Sequence, residues 1–160
     1  MEIARFESLA KSDRLIRPRF QGGFTLDTLP KQLILGQIYM CSDQNSDVPV
    51  SHFRIIFSNS KYTYFFCSFG TEPSHPEVLS SLESLKKPVI YNKWSVQYKK
   101  SICCPYHCLF VAYLLARDFT LEEILQGFYS ETDSINNDAR VKHFISTVFG
   151  LADTPPIFID

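Results

Sequence analysis

The sequence lacks an apolar run long enough to span a membrane, and it lacks an excess of charge of either sign. Its longest uninterrupted apolar run, residues 108–116, is less than half as long as a spanning helix of about 20 residues. The 16 basic and 17 acidic residues leave a formal net charge of −1, which excludes a bulk attraction to nucleic acid or anionic membrane. The first residues, 1–14, lack the apolar centre of a signal peptide. We therefore expect an intracellular protein with no membrane partner.

The chain also lacks internal repeats, low-complexity tracts and Pro/Ser-rich linkers. Because 45% of its 160 residues are hydrophobic, it can bury one good core. We predict a single domain over residues 1–160, with 152–160 as a proline-containing tail. The five cysteines are an odd number, and a core this apolar needs no disulfide framework, so we expect most thiols to be reduced.

Local patterns predict an α+β series of elements. Residues 11–30 are expected to be irregular because of their prolines and glycines, and 41–49 to form a polar surface loop. Two capping boxes, Ser74 with Glu77 and Thr120 with Glu123, indicate helix starts. The expected helices are 2–11, 76–87, 103–116, 121–128 and 138–148, and the expected strands are 33–40, 52–58, 61–67 and one or two short ones within 88–98. The core-facing positions of three helices are predicted to be Val78, Leu79, Leu82 and Leu85; Leu121, Ile124, Leu125 and Phe128; and Val141, Phe144, Ile145 and Val148.

The strands 52–58 and 61–67 flank Asn59-Ser60, which suits a two-residue hairpin loop. Such a loop would place His52 directly opposite Cys67. The beginning of the first strand would then lie beside the end of the second.

Three cysteines and a histidine crowd into residues 103–108. Cys103 and Cys104 fall at a predicted helix start, where unpaired backbone N–H groups lower the pKa of a thiol. The alternative is that both are small buried apolar residues. A nucleophilic cysteine needs an imidazole from another element, and His52, at a strand end, is placed to supply it. We expect the other histidines, His75, His107 and His143, to serve in packing, at the surface or in capping.

Zinc binding is a further alternative, because Cys104, His107 and Cys108 share one helix face. Structural zinc takes four ligands, commonly as two closely spaced pairs, and the second pair is missing. We therefore expect no metal.

The order of three short motifs resembles that of the adenovirus-type cysteine proteases, most closely the versions carried by polintons and adintoviruses. The motifs are "HF" at 52–53, "FCSFG" at 66–70 and "QYKKSICCPYHC" at 97–108. Gln97 stands seven residues before Cys104 and Cys108 stands four after it, as in the family's Q-x₃-S-x₂-C-G-x₂-C pattern. This spacing selects Cys104, not Cys103, as the nucleophile.

The resemblance implies a papain-like, SUMO-protease-like α+β fold, in which a mixed sheet packs on a central helix that carries the cysteine. It implies a cysteine endopeptidase that matures viral capsid or core precursors, with His52 as base and Gln97 as oxyanion donor. No cofactor is required by the sequence, although the resemblance allows an activating peptide or DNA. Viral origin would imply the host nucleus or the virion as location.

The family's acid is replaced by Cys67, its glycine after the nucleophile by Pro105, and its tryptophan after the histidine by Phe53. A neutral thiol cannot stabilise imidazolium as a carboxylate does. The alternative function is therefore a catalytically inactive pseudoprotease, kept as a structural or peptide-binding module.

Overall fold

The computed structural model describes residues 1–48 and 52–152 as an α+β fold with one mixed sheet, as the sequence predicts. Its helices are α1 (Ile3–Ser12), α2 (Pro76–Glu83), α3 (Cys104–Leu115), α4 (Leu121–Phe128) and α5 (Ser134–Val148), and its strands are β1 (Phe20–Phe24), β2 (Ile38–Ser42), β3 (Phe53–Ser58), β4 (Thr63–Cys67) and β5 (Val89–Tyr91). None of these helices is both long and apolar enough to cross a membrane. The single domain stays a prediction, and most of the predicted tail, 153–160, lies outside the described residues.

The five strands lie in the sheet in chain order, with β2, β3 and β4 antiparallel and the outer strands β1 and β5 parallel to their neighbours. Side chains that alternate along β3 and β4 enter two separate cores. The larger core contains residues of helix α3 together with residues of α1, α4 and α5. Because α3 is covered on nearly all sides, ten of its 12 residues are buried.

Two strand predictions are wrong. Residues 20–24 form β1 although their glycines predict a loop, because the pairing with β2 overrides a weak local propensity. Gly23 is required there, since a Cβ would lie 2.6 Å from Ile3 of α1. The predicted strand 33–40 begins instead at Ile38, after Gly36 with its positive φ of 83°, and continues through Ser42 into the predicted loop.

The predicted hairpin register is also wrong. The loop between β3 and β4 has four residues, 59–62, instead of two. Asn59 closes it, because its side-chain oxygen accepts from the N–H groups of Lys61 and Tyr62. As a result Cys67 pairs with Arg54 and not with His52, which lies just before β3.

Helices α1, α3 and α4 are confirmed, and the capping box of Thr120 and Glu123 is formed. The box predicted at Ser74 is wrong, because α2 begins at Pro76 after His75 without a side-chain cap. The helix start predicted at Asp138 is wrong too. Helix α5 begins at Ser134, and the side chain of Asp133 caps it. Three predicted core positions are exposed by more than a third: Leu79, Phe128 and Val148.

Gly70 fixes the turn that follows β4. Its N–H donates to the Cys67 carbonyl over 2.8 Å, and its φ is +72°. A Cβ there would lie 2.5 Å from the backbone of Trp94, whereas a Cβ at Gly36, where φ is +83°, would meet nothing within 4 Å. We expect Gly36→Ala to lower the free energy of unfolding by about 1 kcal/mol and Gly70→Ala by about 3 kcal/mol or more.

Urea unfolding of the two variants measures the difference. Both substitutions place a side chain on a left-handed backbone conformation. Gly70→Ala alone also has to displace the neighbouring backbone at Trp94. Equal losses would contradict the close approach at Trp94.

Candidate active site

The start of α3 is docked on the backbone immediately after His52. The Cys108 thiol, one turn into α3, donates to the Phe53 carbonyl over 3.2 Å. The Phe53 N–H is close enough to the Cys104 sulfur to oppose the rise that burial causes in the pKa of that thiol. Both polar groups of Phe53 therefore face thiols of α3, and this brings Cys104 against the residue that follows the histidine.

His52 is held by the end of β4. Its Nε2 lies 3.2 Å from the Cys67 sulfur, and its ring stacks on Phe69 with centroids 4.9 Å apart. Since Cys67 pairs with Arg54 in the sheet, it reaches His52 diagonally. The thiol contacts Nε2, so Nδ1 is the ring nitrogen that this contact does not use.

The predicted direction of the pKa shift of Cys104 is wrong. Burial raises the pKa of Cys104 to about 12, although the thiol lies at a helix start. Its side chain is only 5% exposed, and loss of hydration outweighs the favourable helix dipole. Burial likewise raises the pKa of Cys103 to about 11.

Burial, with a smaller contribution from the nearby Arg54 guanidinium, lowers the pKa of His52 to about 4. Together with the raised pKa of Cys104, this makes both members of the pair uncharged at pH 7. A preformed thiolate–imidazolium pair is therefore not the resting state. Any proton transfer between them has to accompany bond formation.

Gln97 is buried behind the start of α3. Its amide nitrogen donates to the Ser101 carbonyl over 2.8 Å, and its amide oxygen accepts from the Ser68 hydroxyl over 2.5 Å. These bonds fasten the segment before α3 to the residue after β4. The amide nitrogen carries two N–H groups, and the bond to Ser101 uses one of them.

The structure adds Asp43, which sequence reasoning assigned to a surface loop. Continuing the β2–β3 register by one residue places Asp43 opposite His52, and the Asp43 N–H donates to the His52 carbonyl over 3.3 Å. Residues directly opposite in antiparallel strands have side chains on the same face. The Asp43 carboxylate raises the pKa of His52, against the effects of burial and Arg54. It is the charge that favours the imidazolium form.

His107 does not join this group. It is fully buried, with Nε2 2.7 Å from the Asp138 carboxylate and Nδ1 2.9 Å from the Tyr129 hydroxyl. The same carboxylate accepts from the Tyr98 N–H over 3.2 Å, so this network ties the segment after Gln97 to α5. The packing role predicted for His107 is thus confirmed. The zinc alternative needed His107 as a ligand, and both of its ring nitrogens are already engaged by Tyr129 and Asp138. Residues 1–48 and 52–152 contain no group of three side chains able to hold a metal ion.

Replacing Cys67 by aspartate should put a carboxylate beside His52 Nε2. We expect Cys67→Asp to raise the pKa of His52 from about 4 to between about 5 and 7, because an opposite charge at contact distance favours imidazolium. Asp43→Asn should lower the same pKa. NMR titration of the His52 ring, assigned with a His52→Gln variant, measures both.

The matched controls are Cys67→Ser, which adds no charge, and Asp47→Asn, which removes an exposed carboxylate of the same loop. An unchanged titration in both test variants would show that neither position acts on the imidazole.

No model of a known protein family matches the chain, and no curated protein matches it. The function is therefore argued from the geometry around Cys104 and from the spacing of the motifs.

Proposed function

We propose that the chain is a cysteine endopeptidase, with Cys104 as nucleophile, His52 as general base and Gln97 as oxyanion donor. The observation that carries this proposal is the docking of α3 on the residue after His52: the Cys108 thiol donates to the Phe53 carbonyl over 3.2 Å, and the Phe53 N–H is close enough to the Cys104 sulfur to oppose the rise that burial causes in the pKa of that thiol. A thiol at a helix start thus lies against the residue that follows His52, a histidine whose Nε2 is contacted by Cys67. The spacing of the motifs, which resembles that of adenovirus-type proteases, supports the same residues.

The reaction proceeds by covalent catalysis. His52 accepts the thiol proton at Nδ1 as the sulfur bonds to the scissile carbonyl carbon. The oxygen that gains the electron pair is stabilised by the backbone N–H of Cys104 and the amide of Gln97. The C–N bond then breaks, and His52 returns the proton to the leaving amine. Water attacks the resulting thioester with His52 as base, the C–S bond breaks, and a carboxylic acid and the free thiol are released.

In the proteases this chain resembles, one carboxylate both orients the histidine and stabilises its charged form. Here Cys67 supplies the first function and Asp43 the second. For Nδ1 to act as base, Nε2 must carry the ring hydrogen, and Cys67 accepts it as a weak acceptor. The negative charge that stabilises imidazolium comes from Asp43, across the β2–β3 ladder. Orientation and charge are therefore supplied by two different strands.

We also propose that the α+β fold is the papain-like, SUMO-protease-like one. The support is that α3, with the nucleophile at its first residue, packs on β3, with the base immediately before that strand. By the same resemblance, viral capsid or core precursors are the proposed substrates, and the host nucleus or virion is the proposed location.

The second candidate is an inactive module that binds a peptide in the former substrate groove. It is favoured by the burial of Cys104, of which 5% is exposed, and by the engagement of both ends of the Gln97 amide. In this case the thiols of α3 serve only to hold Phe53. The two candidates share the fold and differ in chemistry.

A peptidyl vinyl sulfone library separates them. If the chain is a peptidase, the free protein should be alkylated at Cys104, as located by peptide mass mapping, and should cleave a peptide library. Cys104→Ser should lower both by at least about 10³-fold, because an alcohol without a strong base is a far weaker nucleophile.

The matched control is Cys103→Ser, which changes the adjacent buried thiol and should leave both rates within a few-fold. Alkylation spread over several cysteines, or cleavage that survives Cys104→Ser, would overturn the proposal. Absence of both reactions in the folded wild-type protein would leave the inactive module as the function.

A further inference from the structure

A cavity of about 270 Å³ opens at the start of α3, and we call it the Arg5 cavity. Its lining residues are Met1, Arg5, Ile102, Pro105, Tyr106 and Lys142. They come from three places in the chain: α1 with Met1 before it, the first turn of α3 with Ile102 before it, and α5. The cavity is therefore built by tertiary packing.

The Arg5 cavity borders the proposed nucleophile on both sides along the chain. Pro105 follows Cys104 directly, and Ile102 precedes it by two residues. Consecutive Cα atoms are about 3.8 Å apart, so the walls of the cavity begin within one residue length of Cys104. Each residue of an extended peptide spans about 3.3–3.6 Å, so the residue beside a scissile bond held at Cys104 comes within reach of these walls.

The polar groups that line the Arg5 cavity include two cations. Lys142 is only 5% exposed, and its ammonium lies 5.6 Å from the centroid of the Tyr106 ring. Arg5 lies near enough to Tyr106 to oppose the rise that burial causes in the pKa of that phenol. Within residues 1–48 and 52–152, Arg5 forms no ion pair with a carboxylate. The charge of Arg5 is thus available to an incoming anion.

Size and shape fit one side chain. The volume is below the range of about 300–1,000 Å³ that is typical of small-molecule sites. Ile102, Pro105 and the Tyr106 ring form apolar walls, which suit the methylene groups of a side chain that ends in a charge. Three larger cavities, of about 400, 410 and 480 Å³, have no residue of the first turn of α3 in their walls.

We infer that the Arg5 cavity is a substrate subsite that receives an aspartate or glutamate side chain next to the scissile bond. The inference rests on the proposed peptidase function and gives it a substrate class, namely peptides with an acidic residue beside the cleavage site. Arg5 is a specificity-determining residue in this account. It contacts the substrate side chain and takes no part in the proton transfers.

The test uses paired pools of short peptides that are randomised at every position except one, where glutamate is fixed in one pool and glutamine in its twin. For one fixed position the glutamate pool should be cleaved with a kcat/KM higher by on the order of tenfold. Arg5→Glu should abolish or reverse this preference. The control is Arg14→Glu, which makes the same charge change at an exposed residue distant in sequence from the cavity walls and should keep the preference.

A second readout needs no turnover. The same pools are added to the Cys104→Ala variant, and the NMR amide signals of Ile102 and Tyr106 are followed. The glutamate pool should shift them at about tenfold lower concentration than the glutamine pool.

The two readouts separate the subsite from the peptidase. Cleavage without a glutamate preference at any position overturns the subsite and leaves the peptidase. Glutamate-selective shifts without cleavage support an acidic peptide site and overturn the peptidase. A protein that neither cleaves nor distinguishes the pools overturns both.

Discussion

The site depends on one contact, the docking of the first turn of α3 on Phe53. Cys108 donates to the carbonyl of this residue and the Cys104 sulfur lies close to its N–H, so two thiols one helical turn apart fix both the position and the rotation of α3 against β3. A buried strand residue at the edge of pairing needs such partners, because an unpaired buried backbone group is costly. The same contact places the Cys104 sulfur against the residue that follows His52.

Burial then sets the electrostatics of that sulfur. A helix start favours a thiolate, but the effect of the dipole is modest, at most about 2 kcal/mol. At 5% exposure the loss of hydration prevails, and the same loss keeps His52 neutral. The pair therefore rests as thiol and imidazole, and in the proposed reaction charge is created only when a carbonyl is attacked. In that proposed state the charge of Asp43 and the donors at Gln97 and Cys104 matter most, because they favour the charged form over the resting one.

Features encoded in short stretches could be predicted from the sequence. The capping box at Thr120, the apolar run of α3 and the spacing from Gln97 to Cys104 are all local. Features that depend on partners distant in the chain could not be predicted. Strand β1 exists because β2 pairs with it, and its glycines suit the approach of α1. The hairpin register depended on whether Asn59 closes a two-residue or a four-residue loop, and a shift of two positions moved Cys67 from His52 to Arg54.

The position of Asp43 opposite His52 was not predicted, for the same reason. Asp43 sits in a polar stretch that has every local mark of a surface loop, and only the β2–β3 register places it opposite His52. The pKa of Cys104 was predicted with the wrong sign because burial is a property of the whole fold, whereas the helix start is visible in the sequence. The contact between His52 and Cys67 survived a wrong register, since a histidine side chain reaches diagonally across neighbouring strands.

The most direct test of the account is a crystal structure of the protein with a bound peptide aldehyde. The account predicts a hemithioacetal on the Cys104 sulfur, with His52 Nδ1 within about 4 Å of that sulfur and the hemithioacetal oxygen within hydrogen-bond distance of the Gln97 amide nitrogen. An unmodified, still buried Cys104 in crystals saturated with the aldehyde, or a His52 ring turned away from the adduct, would contradict it.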